Sequence, residues 1–246
     1  MAAIRVRTAR VMFSGPGLQV NGLEAAPEGL WLADQRDNRA YLVDYTGRVL
    51  TSFVGPARNA SGLSYGAGSV WVASNVRPAM IFRHDPATGQ CLACLVLPGD
   101  GGVHGIQWRP YAPGEQLAAP APAAPELHPT ALAGALNAGP GVSGTLWVTR
   151  PGALRIDHLD AETGAVLGQI PFPASRSHGM FWHEEDDTLS VAETNEGHIF
   201  RLDPATGAVR DEWRVAETEV HALTRDAEGR IWIGDAARNA LLVVED

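Results

Sequence analysis

A strand–turn–strand unit recurs five times along this chain of 246 residues, each copy runs on into further strands, and stretches of helical period are missing outside one insertion. These observations predict an all-β fold, a five-bladed β-propeller of four-stranded blades closed by the N-terminal strand. The unit reads NGLEAAPEGLWLAD at 21–34 and recurs as SGLSYGAGSVWVAS at 61–74, HGMFWHEEDDTLSVAE at 178–193 and HALTRDAEGRIWIGD at 221–235. A further copy opens as HGIQW at 104 and resumes as GTLWVTR at 144. The starts at 21, 61, 104, 178 and 221 are spaced by about forty residues once the insertion of roughly thirty is removed, the size of a four-stranded blade.

Each element has its own signal. Third strands follow the units as AYLVDYTG, MIFRHDPATG, LRIDHLDAETG and HIFRLDPATG, ending in Asp-to-Gly turns. Fourth strands follow those turns, except in the last unit, which stops in its third strand. The spare segment IRVRTARVMF near the N-terminus is therefore expected to supply the missing outer strand and remove a free edge. Trp31, Trp71, Trp147 and Trp232 share one repeat position and are expected to pack between blades. The chain is expected to form one domain, 1–246, with an insertion at 109–143 splitting blade 3. Within it, HPTALAGALNAG suggests a short helix capped by Thr130, and the insertion is expected on the face opposite the site.

Composition excludes several function classes. The net charge of −9 argues against nucleic acid as a partner. All 19 basic residues are arginine, which excludes Schiff-base and lysine-nucleophile chemistry. No P-loop, dinucleotide fingerprint or G-x-S-x-G elbow is present. The N-terminus carries no long apolar run and no stretch approaches a membrane span, so a cytoplasmic monomer or homodimer acting on a small molecule is expected. Cys91 and Cys94 would fall on opposite faces of a strand and are expected to be packing residues. His84, His158 and His183 are expected at the surface, as is His128 in the insertion, while His198 opens a third strand near the rim.

The candidate site lies at the repeat positions that open the innermost strand and end the next one. The first set is Asn21, Ser61, His104, His178 and His221; the second is Asp34, Ser74, Arg150, Glu193 and Asp235. Three imidazoles from neighbouring units predict a divalent metal held by His104, His178 and His221. Glu193 or Asp235 is expected to move the proton, Arg150 to bind an anion or a developing oxyanion, and Asn21, Asp34, Ser61 and Ser74 to contact substrate. Nitrogen-rich ligation favours zinc, manganese or iron(II) over calcium or magnesium. The expected activity is metal-dependent hydrolysis of an ester, lactone or phosphoester; elimination and non-catalytic binding of a ligand or peptide are the alternatives.

The recurring GL…G-x-LW(V/L)A…I(F)R-x-DP-x-TG pattern resembles the SMP-30/gluconolactonase, virginiamycin B lyase and NHL-repeat propellers. Plant-type glutamine cyclotransferases are similar in having five blades. Resemblance to the virginiamycin B lyase group implies roles in metal binding and proton transfer for His178 and His221 and for Glu193 and Asp235. Resemblance to the SMP-30 group implies a metal-binding role for Asn21 in its N-G-L motif.

Overall fold

The computed structural model describes residues 4–97, 99, 102–111 and 142–245. Its first strand, β1 (Arg5–Ser14), precedes four complete four-strand units. Unit 1 holds β2 (Val20–Ala26), β3 (Gly29–Asp34), β4 (Arg39–Val43) and β5 (Val49–Val54); unit 2 holds β6 (Ala60–Gly66), β7 (Ser69–Ser74), β8 (Met80–His84) and β9 (Cys91–Val96). Unit 3 holds β10 (Ile106–Arg109), β11 (Thr145–Arg150), β12 (Arg155–Asp160) and β13 (Val166–Pro171). Unit 4 holds β14 (Ser177–His183), β15 (Thr188–Glu193), β16 (His198–Leu202) and β17 (Val209–Val215). The last unit holds β18 (Val220–Arg225), β19 (Ile231–Asp235) and β20 (Ala240–Glu245).

The first three units are separate antiparallel sheets, ordered as in the sequence. The last two are fused. β1 pairs antiparallel with β20 along most of its length, supplying the missing outer strand, and its first residues, Arg5 to Arg7, pair parallel with β17. One eight-stranded sheet results. The innermost strands form a ring: β2 packs on β6, β6 on β10, β10 on β14, β14 on β18, and β18 back on β2.

Glycine sets the width of that ring. A Cβ on Gly62 would stand 1.9 Å from the His104 carbonyl oxygen, and one on Gly105 would stand 1.9 Å from that of His178. Gly22 and Gly179 meet the backbone of Leu63 and Leu223 at 2.5 and 2.3 Å in the same way. Inner strands thus touch backbone to backbone, which is why glycine follows Asn21, Ser61, His104 and His178. In the last unit Ala222 takes that place.

Between the sheets lie apolar layers. Trp31, Trp71, Trp147 and Trp232 are all buried, each in a cluster shared with a neighbouring unit. Unit 4 has Ser190 at this position, and His183 Nε2 bonds it at 2.8 Å, so His183 is half-buried rather than at the surface. The third-strand turns follow the sequence chemistry: Asp85 and Asp203 accept from the backbone amides of their own turns, and Gly89 and Gly207 take φ of +72° and +74°.

Several expectations need correction. His84 is completely buried, bonded through Nδ1 to the Gly89 carbonyl and packed on Phe53 and Gly55. His158 stacks on Trp147 with ring centroids 4.3 Å apart. Both sit on third strands, but the sheets pack face to face, so inward-facing positions there are interior. Cys94 packs against the core of unit 2, whereas Cys91 is exposed. The expected helix, with His128 and Thr130, lies outside the described residues. The described ends of the insertion leave the β10–β11 hairpin where Arg109 pairs with Thr145, at the opposite end of β10 from His104.

Gly62→Ala and Gly105→Ala are expected to destabilise the protein by at least the ~1–3 kcal/mol of an overpacked core, because the obstructing atoms are backbone. Gly168→Ala, whose Cβ would meet nothing nearer than 4.0 Å, is expected to be nearly neutral. Urea unfolding of the three variants checks this.

Candidate active site

The site begins with a backbone irregularity. Along β2, β6 and β18 the pairing with the next strand skips one residue, at Asn21, Ser61 and His221, and β14 skips at His178 and Gly179. Each is a β-bulge, which re-aims a side chain. His104 lies just before β10, held by its amide on the Thr149 carbonyl at 3.2 Å.

The bulges bring the three histidines together. His104 Nδ1 lies 2.7 Å from His178 Nε2, and the rings meet edge to face at 4.2 Å between centroids. The His178 and His221 rings meet similarly at 4.4 Å. His104 Nε2 lies 2.9 Å from Asn75 Nδ2. His178 Nδ1 lies 2.6 Å from Thr194 Oγ1 and 3.0 Å from the Arg176 carbonyl oxygen. Burial pushes His104 and His221 down to about 4 and His178 well below its usual value; the nearby Arg176 guanidinium acts in the same direction. All three imidazoles are therefore neutral at pH 7.

This arrangement does not fit the expected metal. All four ring nitrogens of His104 and His178 are engaged in hydrogen bonds, two of them with each other. Among the described residues no group of three or more His, Cys, Asp or Glu side chains is placed to hold a metal ion. The three imidazoles are thus held as neutral, hydrogen-bonded rings.

Other polar atoms at the same level have no partner. Both side-chain polar atoms of Asn21, which is 1% exposed, lack a hydrogen bond, whereas His221 faces Glu219, with Nδ1 3.6 Å from its Oε1. Ser61 Oγ donates to the Val103 carbonyl at 2.6 Å.

The residues ending the second strands do not join this group. Glu193 accepts from the amides of Asn195 and Glu196, and Asp235 from that of Arg238. Asp34 accepts from the amides of Leu18, Gln19, Arg36 and Asp37. Ser74 Oγ bonds both the amide and the carbonyl of Arg58. The three carboxylates brace the turns after their strands, while Ser74 holds the loop before β6 and Asp34 also holds the one before β2. Arg150 is fully buried and paired with Asp157 at 3.0 Å, with Gly99 O also accepting from it, so it offers no cation at a rim. His198 bonds Glu212 at 2.6 Å.

The positions that do reach the histidines come one residue later, at Asn75 and Thr194. Side chains alternate along a strand, so with the last residue turned into the loop the next one faces the ring. The repeat alignment contained that signal.

A second polar layer lies three residues further along the inner strands. Glu24 is buried there and accepts from Ser64 Oγ at 2.8 Å, Gln107 Nε2 at 3.1 Å and Thr224 Oγ1 at 3.1 Å, side chains from three other units. Burial pushes its pKa up to about 7 in spite of these bonds.

The ring of blade-like sheets around a narrow polar centre defines the class as a β-propeller. No family model and no curated protein matches the sequence. Among solved structures the chain is similar to glutaminyl cyclase from Myxococcus xanthus, with a TM-score of 0.71 and 12% identity over 99% of this chain and 98% of that one. It is also similar to virginiamycin B lyase from Staphylococcus aureus, with a TM-score of 0.51 and 16% identity over 92% and 67% of the two chains. A catalytically inactive histidine-to-alanine form of that lyase, with quinupristin, matches with a TM-score of 0.52 at 15% identity. At these identities the likeness establishes the fold.

Two opposite pH dependences are expected. The histidines bind protons more readily unfolded, so their contribution to stability falls as pH drops from 6.5 towards 4. Glu24 binds its proton more readily folded, so its contribution falls as pH rises from 4.5 towards 7. Urea titrations from pH 4 to 8 check both: Glu24→Gln gains stability relative to the parent as pH rises, and His104→Gln gains relative to it as pH falls.

Proposed function

We propose that the protein is an enzyme that transfers protons on a small substrate held at the histidine layer, and that the substrate presents a carboxamide. The five repeat units are its five blades, in one domain. The observation that carries the reading is the cluster of three neutral imidazoles together with Asn21, whose amide has an unused donor and an unused acceptor side by side and which sits at the equivalent bulge of the inner strand next to that of His221. A buried amide of that kind is complementary to another amide, and leaving it unpaired is costly.

The chemistry that suits these groups is intramolecular acyl transfer. An amine of the substrate attacks its own carboxamide carbon, an imidazole takes the proton lost by the attacking nitrogen, and that proton passes to the departing nitrogen, which leaves as ammonia. A lactam remains. His104 and His221 are the acid–base residues in this reading, with His178 bonded to His104 behind them. The likeness to a glutaminyl cyclase over nearly both whole chains supports this choice. Hydrolysis through a metal-bound water has less support, because the imidazole nitrogens it requires are committed elsewhere.

Elimination is the second reading, favoured by the resemblance of the His178 and His221 motifs to those of the virginiamycin B lyase group and by the similar lyase whose histidine-to-alanine form is inactive. There an imidazole removes a proton beside a carbonyl, the C–O bond breaks, and a double bond forms.

Mass spectrometry separates the readings. Peptides with an N-terminal glutamine are expected to lose ammonia, whereas cyclic depsipeptide lactones open with a new double bond if elimination is correct; solvent oxygen appears in the product only if the reaction is hydrolysis. His221→Ala and His104→Ala are expected to lower kcat by about a hundredfold or more. His198→Gln, bonded to Glu212 away from the cluster, is expected to leave it unchanged.

A further inference from the structure

We infer that Asn75 is a positioning residue that, with the Arg176 carbonyl, fixes His104 and His178 as Nδ1–H tautomers and makes the pair a directional proton relay. The use of the relay rests on the acid–base reading above; the tautomers follow from the fold alone.

Both ends of the chain are pinned by backbone groups. At one end the Arg176 oxygen can only accept, and it lies 3.0 Å from His178 Nδ1, so the proton of the neutral ring sits on Nδ1. Thr194 Oγ1, at 2.6 Å, accepts from the same N–H and donates its own hydrogen to the Val220 carbonyl at 3.1 Å. The Nε2 of His178 then carries a lone pair, and the 2.7 Å contact requires a proton on His104 Nδ1. His104 Nε2 is left as an acceptor.

The other end gives the same answer independently. Asn75 Oδ1 accepts from the Val103 amide at 3.1 Å, which fixes the orientation of the amide. Its Nδ2 therefore faces His104 Nε2 at 2.9 Å and donates to it. The opposite tautomers would set two donors against each other at Asn75 and a lone pair against the Arg176 oxygen. Only one assignment satisfies every contact.

The direction has a chemical consequence. A proton delivered to His104 Nε2, displacing Asn75, releases the Nδ1 proton to His178 Nε2. His104 returns to neutral as the Nε2–H tautomer, and the charge moves to His178, whose Nδ1–H is held by the Arg176 oxygen and Thr194. The reverse transfer returns the proton to a leaving group. One proton enters and one leaves.

Nitrogen NMR of protein labelled in its histidines tests this without any substrate. The expected result is protonated Nδ1 and unprotonated Nε2 for both His104 and His178, assigned by loss of each signal in the single His→Gln variants. Asn75→Asp keeps the acceptor for Val103 but replaces the donor by an oxygen. It is expected to place a proton on His104 Nε2, a change that loss of packing would not produce. Adding zinc to the parent protein is expected to leave both spectra unchanged. A protonated Nε2 on either ring in the parent, an unchanged His104 spectrum in Asn75→Asp, or loss of both signals at one equivalent of zinc would each overturn the relay. Turnover assays are scored separately, so an inactive protein with the expected tautomers counts against the proposed reaction and not against the relay.

Discussion

The structure depends on backbone-to-backbone contact between its innermost strands. Gly22, Gly62, Gly105 and Gly179 have no side chain because the neighbouring strand occupies the space where a Cβ would stand. That contact closes the ring and brings the side chains at the bulges towards its centre. The packing constraint and the candidate site are thus two sides of one repeat position: the polar residue at the bulge and the glycine beside it.

Burial at the centre of the ring sets the charge state of its side chains. An imidazole in water titrates near neutrality, but here burial holds three of them uncharged. The same desolvation raises Glu24 in the layer beneath. Four donors, three side chains and the Tyr65 amide, converge on that carboxylate, tying together four of the five units. A polar centre of this kind is tolerated because most groups in it have a partner; among the exceptions are both side-chain polar atoms of Asn21 and Gln107 Oε1.

Polar residues at equivalent repeat positions serve different ends. Asp34, Glu193 and Asp235 share a strand end with Arg150, yet the carboxylates brace turns and the arginine is held by Asp157 in the sheet of unit 3. A carboxylate at the end of a strand sits within reach of nearby loop amides, and these hold it away from the imidazoles. One residue further on, Asn75 and Thr194 face the ring and carry the contacts that orient the histidines.

The sequence by itself determined the strand order, the number of repeat units, the tryptophan layers, the strand completed by the N-terminus, and the grouping of His104, His178 and His221. All of these follow from periodicity, because a repeated pattern must occupy equivalent places in a ring. It did not determine what the grouped side chains do. Burial of His84, the turn-bracing role of Glu193, the parallel pairing of β1 with β17 and the 2.7 Å contact between His104 and His178 depend on which atoms from separate units come within reach. Only the tertiary structure decides that, because hydrogen bonds act over about 3 Å and a one-residue change along a strand turns a side chain from the loop to the ring.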